Sequence, residues 1–407
     1  MNKHLVIVGG GQAAAQLVQS SRQLGFEGNI TLIGEESEAP YQRPPLSKKY
    51  LAGELERDRL FIKPPQFYTE RGVELLLGTR AESIQTDSRQ LRLSDDSLLD
   101  YDLLALATGA SPRRMDIPGT ALTGVHYLRT VKDVDAIQAS LKTSKRVVIV
   151  GAGYIGLEVA ASCVARGAKV TVLEAAPRIL GRVVCDTTAD FYADYHKSRG
   201  VSIHCEAQVA EFLGDTHVTG VRTSADAVYD ADCVIVGIGV TPNTQLAEAA
   251  GISCSNGICV DPYTRTDVKG VFALGDCTSH PHPWIGTRVR LESVQNAIEQ
   301  GKSAASTMFA EPRAFTDVPW FWSDQYDLKL QIAGLALDYD QTVMRGDTRQ
   351  RKFAVYYMQG KRLVAVDAVN SPKDFILAKR LLSANAEPSP EAIADLEHDL
   401  SAFLPNS

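Results

Sequence analysis

Leu5-Val6-Ile7-Val8-Gly9-Gly10-Gly11-Gln12-Ala13-Ala14 and Val147-Val148-Ile149-Val150-Gly151-Ala152-Gly153-Tyr154-Ile155-Gly156 follow one plan. Four apolar residues lead into a glycine-rich turn, and a helical pattern follows at 13–24 and 154–166. A glycine-rich turn alone is a common strand-to-helix connection, so the flanking context decides its meaning. The first two glycines permit a tight turn and close approach of a pyrophosphate to the helix N-terminus, whose free N–H groups favour anions. The third position needs only to be small, so Ala14 serves as well as Gly156.

Each copy continues in the same way. Glu35 follows the apolar run Ile30-Thr31-Leu32-Ile33-Gly34, and Glu174 follows Val170-Thr171-Val172-Leu173. Both lie near the spacing of a carboxylate that accepts hydrogen bonds from an adenosine ribose. Strand, turn, helix, strand and acid in order, twice, predict two bound dinucleotides in one chain.

A chain of 407 residues exceeds what one core usually serves. Its 44% apolar and 22% charged residues describe an ordinary globular composition, and a net charge of −7 argues against nucleic acid as a partner. No apolar run is long enough to span a bilayer, so no membrane association is expected. The first strand begins by His4, which leaves no room for a signal peptide and predicts a cytoplasmic protein. Seven cysteines (163, 185, 205, 233, 254, 259, 277) include no CxxC pair. No metal site is therefore expected, and no cysteine pair stands near the first cradle to act as a redox disulfide.

The repeat extends beyond the cradles. Tyr101-Asp102-Leu103-Leu104-Ala105-Leu106-Ala107-Thr108-Gly109 has a counterpart in Ala231-Asp232-Cys233-Val234-Ile235-Val236-Gly237-Ile238-Gly239. Regions of β-type alternation at 73–93 and 201–229 precede these closing strands. A later strand ends at Leu274-Gly275-Asp276 and is expected to return to the first domain, which places Asp276 at the ligand end of the sheet. From Pro319 the pattern turns aromatic and alternating, with strands expected at 329–332, 353–358 and 362–366 and a helix at 372–383. The reading is an α/β chain of two Rossmann-like domains, the second inserted in the first, followed by an α+β domain. The expected boundaries are 1–110 with 241–318, then 111–240, then 319–407.

Several further motifs are distinctive: Arg43-Pro44-Pro45-Leu46-Ser47-Lys48, Tyr127-Leu128-Arg129-Thr130, Gly153-Tyr154-Ile155-Gly156-Leu157-Glu158, Glu292-Ser293-Val294-Gln295-Asn296-Ala297 and Pro319-Trp320-Phe321-Trp322-Ser323-Asp324-Gln325. With the cradles they make the chain resemble the FAD-dependent ferredoxin reductases of bacterial oxygenase systems over nearly its whole length. The resemblance implies a glutathione-reductase-like fold, FAD in the first domain, NADH in the second, and a 2Fe-2S ferredoxin that passes electrons to a terminal oxygenase. It implies FAD contacts at Gly9, Gly11, Ala14, Glu35, Arg43, Lys48, Ala81, Thr108, Gly109, Arg129, Asp276 and Val294. NADH contacts are implied at Gly151, Gly153, Ile155, Gly156, Glu174, Gly237, Ile238 and Gly239. The same resemblance makes Lys48, Glu158 and Trp320 the catalytic candidates, with Lys48 and Glu158 expected to pair, one from each dinucleotide domain.

In that scheme the flavin converts a two-electron hydride into single electrons, while the protein supplies placement and electrostatics. A carboxylate at Glu174 favours NADH over NADPH by repelling a 2′-phosphate, although Arg178 and Arg182 follow closely and could soften the choice. Arg288, Arg290, Arg313 and Lys329 are candidates for a basic rim that meets an acidic ferredoxin, the alternative being ordinary solvated cations. Rubredoxin is an alternative acceptor. A flavin NADH oxidase or peroxidase would need a redox cysteine where this chain has Leu46, Ser47 and Lys48. An NADH-responsive signalling flavoprotein would leave ferredoxin poorly reduced.

Overall fold

The apolar runs ahead of the glycines become central strands of two parallel sheets, because both faces are covered, one by helices and the other by an antiparallel side sheet, and no position along them is free to be polar. The computed structural model describes residues 3–405. It divides into two units, one formed by the chain up to Gln42, Arg57–Ser111 and Val240–Asp317, the other by Arg43–Glu56, Pro112–Gly239 and Val318 onward.

In the first unit the strand order is Val271–Ala273, Leu103–Leu106, His4–Val8, Asn29–Gly34 and Val73–Leu77, all parallel. Leu5, Val6 and Ile7 are fully buried. One core joins Leu5 and Ile7 to the helix Gln12–Gln23, and a second, on the other side, holds Val6, Val8, Leu104, Leu106 and Val271. The helix Val294–Phe309 lies close against Gln12–Gln23. Gly301 makes that approach possible, since a Cβ there would stand 3.0 Å from the Ala13 carbonyl oxygen. The alternation at 73–93 resolves into the last parallel strand and an antiparallel side sheet of Ala81–Gln85, Gln90–Leu93 and Leu98–Asp100.

The second unit repeats the design with strands Ser202–His204, Lys169–Leu173, Arg146–Val150, Cys233–Val236 and Val125–Tyr127. A side sheet of Val209–Leu213, Gly220–Thr223 and Val228–Asp230 again follows. The fifth strand differs in origin. Val271–Ala273 reaches the first sheet from far downstream, whereas Val125–Tyr127 comes just before its sheet's central strand.

The same unit carries an antiparallel sheet in the order Trp320–Gln325, Leu328–Gly334, Arg362–Val369, Lys352–Gln359 and Gln341–Asp347. The helix Pro372–Ser383 packs on one of its faces. Strand alternation decides which aromatic goes where. Trp320 lies on the helix side, with ring centroids 5.8 Å from Phe375 and 5.6 Å from Trp322. Phe321 projects the other way, 4.8 Å from Tyr154. Ser323 and Gln325 share its face. Among the described residues all seven cysteines are free, and no helix is long and apolar enough to cross a membrane.

Candidate functional site

Each cradle is built by one backbone crossing. Gly9 has φ +122°, donates its N–H to the Ile33 carbonyl at 2.8 Å, and lies so near the closing strand that a Cβ would sit 2.1 Å from the Ala107 oxygen. Gly151 repeats this with φ +101°, a 2.8 Å bond to Leu173, and 2.4 Å from a Cβ to the Gly237 oxygen. These first glycines are demanded by the fold itself.

The second glycines are not. Gly11 and Gly153 are extended N-cap residues with φ −104° and −77°, and a Cβ on either would meet nothing within 4 Å. Neither packing nor backbone strain selects glycine there; space for a ligand does. Both helices also begin without a side-chain cap and without an acid in the first turn. By contrast Val131–Leu141 has a Thr130/Asp133 capping box, and Val294–Phe309 is capped by Ser293. Uncapped N–H groups facing open space suit a pyrophosphate. The residues therefore fit two dinucleotides.

Around the first cradle, Ala14 is fully buried, and Glu35 stands exposed just past its strand. Thr108 and Gly109 are locked by Asn243. The Thr108 hydroxyl donates to the Asn243 carbonyl at 2.7 Å, the Asn243 amide donates to the Thr108 carbonyl at 2.8 Å, and its backbone N–H donates to Gly109 at 2.9 Å. Gly275 donates to the Gln300 side-chain oxygen at 2.7 Å. Asp276 follows, the one residue of 271–280 that is not buried. Val294 opens its helix next to Gln295 and Asn296, whose side-chain oxygens are buried without partners. Ala81 starts the side sheet and packs on the core.

Around the second cradle, Gly156 is as tight as the turn itself, since a Cβ there would lie 2.1 Å from the Gly151 oxygen. Glu174 is held by backbone: one oxygen accepts from the Ala152 N–H at 2.7 Å and the other from Ala176 at 2.8 Å. Each oxygen keeps a lone pair for another donor. Ile155 is 42% exposed on the first turn, an apolar side chain left at the rim. Gly237 donates to Val150 at 2.8 Å, Gly239 accepts from Arg113 at 2.9 Å, and Ile238 packs on the core beneath.

Lys48 and Glu158 meet in the second unit, because Arg43–Glu56 groups with it. The Lys48 ammonium lies 2.7 Å from Glu158 Oε2, with the side chains 16% and 2% exposed. Ser47 donates to the same oxygen at 2.5 Å, and Ser323 donates to Oε1 at 2.6 Å. Ser162 in turn holds the Ser47 carbonyl at 2.9 Å. A buried pair gains little net stability, but removing one partner strands the other charge at a cost of about 3–5 kcal/mol. Arg43 belongs to the same segment and donates to the Arg129 carbonyl at 2.8 Å.

Sequence reading did not find Ser47, Ser162, Ser323, Asn243 or Gln300 as supports. Serine, asparagine and glutamine carry no spacing signal of their own; only the quoted motifs Arg43 to Lys48 and Trp320 to Gln325 hinted at two of them.

Arg178, Arg288, Arg290 and Arg313 are occupied. Arg178 pairs with Asp186 and reaches Asp190 at 3.6 Å. Arg290 pairs with Glu292, Arg313 with Glu299 at 3.2 Å, and Arg288 donates to the Val260 carbonyl at 2.9 Å. These three arginines belong to the first unit, while Lys329 stands exposed in the second.

Residues 3–301 match the model of the pyridine nucleotide-disulphide oxidoreductase family, and residues 320–404 match a reductase C-terminal family. The chain is 41% identical over 404 residues to a probable ferredoxin reductase, CtmF, of Castellaniella defragrans, covering 99% of each. It is similar to the solved ferredoxin reductase for the CYP199A2 system of Rhodopseudomonas palustris, with TM-score 0.97, 37% identity, and 99% of this chain and 100% of that one covered. It is also similar to the reductase in a covalent putidaredoxin reductase–putidaredoxin complex, with TM-score 0.96, 38% identity, and 99% and 98% covered.

Proposed function

Since the chain belongs to the pyridine nucleotide-disulphide oxidoreductase family, we infer that it is an FAD-dependent NADH:ferredoxin oxidoreductase delivering electrons to a 2Fe-2S ferredoxin that feeds an oxygenase. The observation that carries this is the pair of cradles in which a Cβ on Gly11 or Gly153 would meet nothing within 4 Å, which leaves room for an approaching ligand. FAD supplies the conversion of a hydride from NADH into single electrons. The chain's own residues bind, orient and set the field.

We assign 1–110 with 241–318 to FAD, 111–240 to NADH and 319–407 to the C-terminal domain; the two family matches break at 301–320, near the last boundary. In the first unit Gly9, Gly11, Ala14, Glu35, Ala81, Thr108, Gly109, Asp276 and Val294 hold FAD, helped by Arg43, Lys48 and Arg129. Gly151, Gly153, Ile155, Gly156, Glu174 and the turn Gly237 to Gly239 hold NADH. Glu174 accepts from the ribose and disfavours a 2′-phosphate. Lys48, anchored by Glu158, would supply a fixed cation to a bound flavin. Trp320 would shield a bound flavin. The cytoplasm, where NADH is available, suits a chain whose cysteines are all free among the described residues.

NADH added without air should bleach the yellow protein, and added ferredoxin should then support cytochrome c reduction. A chain that NADH leaves yellow would end this reading, and turnover with rubredoxin in preference to ferredoxin would replace the acceptor. Lys48→Met should slow flavin reduction in stopped flow by at least roughly tenfold while thermal unfolding still reports a folded protein. An unchanged rate would remove Lys48 from the mechanism.

A further inference from the structure

Glu158 is fixed from two directions, and the second runs deep into the protein. Beyond Ser323 the contacts continue: Ser323 Oγ to Gln325 Nε2 at 3.1 Å, Gln325 Oε1 to His196 Nε2 at 2.8 Å, and His196 Nδ1 to the Tyr326 hydroxyl at 3.3 Å. Ser323 and Gln325 share one face of the strand Trp320–Gln325, and His196 comes from the helix Asp186–Ser198. Ser323, Gln325 and His196 are fully buried. Among the described residues no general acid or base role of the reaction uses them.

Counting protons fixes the direction of every link. Ser323 has one hydroxyl proton, and the 2.6 Å contact with a carboxylate oxygen claims it. Gln325 must then offer Ser323 an N–H and turn its carbonyl to His196. The ring proton of His196 must therefore be on Nε2, leaving Nδ1 to accept from Tyr326. Tyr326, His196, Gln325 and Ser323 all donate toward Glu158, where Ser47 and Lys48 arrive from the opposite side. Burial lowers His196 to about 4, so one ring proton is what it carries at neutral pH.

We propose that His196 is a positioning residue for the Lys48–Glu158 pair, acting through Gln325 and Ser323 to hold the carboxylate that places the Lys48 ammonium. Without His196 to pin its carbonyl, Gln325 is free to turn, and Ser323 loses the donor that keeps its proton on Glu158. Links in such a network polarise one another, so a break at the far end is felt at the near one. The proposal rests on the flavin reductase reading above only for its consequence on rate.

Two measurements test it separately. In 15N-histidine-labelled holoprotein, with His196→Gln used for assignment, His196 should show the Nε2–H tautomer at neutral pH; the Nδ1–H tautomer would overturn the chain. In stopped flow, His196→Phe and Gln325→Leu should each slow flavin reduction by NADH roughly three- to tenfold with NADH affinity unchanged. His196→Gln, which keeps an N–H for Gln325, should return the rate to within about twofold of the natural protein. Ser323→Ala, a small change at a buried site, carries the same test if the larger substitutions do not fold. Folded variants that reduce at the natural rate, or His196→Gln behaving like His196→Phe, would refute the role. A natural protein that NADH does not bleach would instead sink the functional reading, with the tautomer still deciding the chain.

Discussion

The two cradles share a motif, a strand order and a first glycine pressed against a closing strand, yet they differ at the third small position and at the acid. Ala14 is accepted in the first, whereas the second has room only for Gly156, whose missing Cβ would fall 2.1 Å from the Gly151 oxygen. Glu174 is tied into its turn by two backbone N–H groups, while Glu35 stands exposed at its strand end. The same chemistry is thus served by a loose turn with a free acid and a tight turn with a tethered one. A motif specifies what the ligand needs; local backbone spacing specifies what the protein can tolerate.

Exchanging the third residues should expose this most strongly. Gly156→Ala forces a methyl onto a backbone oxygen and should cost about 3 kcal/mol, against about 1 kcal/mol for Ala14→Gly, as urea midpoints would show. Equal losses would mean that the two turns are equivalent after all.

Acid should strain both units. Burial lowers His280 in the first unit and His196 in the second to about 4. A histidine held neutral in the fold contributes stability that is complete above its unfolded value near 6.5 and is lost as the pH falls toward 4. Denaturant midpoints should therefore fall between pH 6.5 and 4, with each histidine contributing on the order of 2–3 kcal/mol. His280→Gln should flatten part of that fall. A midpoint that does not move over this range would contradict the buried neutral rings.

The smallest effect should come from the acids. Glu174→Gln weakens charge-assisted bonds to two N–H groups and should lower stability by about 1 kcal/mol, while Glu35→Gln should be neutral, judged by thermal unfolding without added nucleotide. If the two changes matched, the tether at Glu174 would carry no weight.

Much of the fold could be read from residues alone, because buried parallel strands and glycine turns leave patterns confined to a few neighbouring positions. The helix at 372–383 and the return of Val271–Ala273 to the first sheet were legible for that reason. Gln341–Asp347 was not, since this edge strand is half polar and buries only Val343. The Glu158 cage was hidden for another reason. Ser47, Ser162 and Ser323 are common residues far apart in the chain, and a hydrogen bond leaves no periodicity to read.

Two nucleotide cradles and their acids follow from local sequence, since each depends on contiguous residues and on the steric freedom of glycine. Tertiary packing alone decided that Arg43–Glu56 joins the second unit, that Phe321 rather than Trp320 faces Tyr154, and that Glu158 meets Ser47 and Ser323 as well as Lys48. Burial makes an unpaired charge so costly that its partners must come from wherever in the chain the fold can bring them.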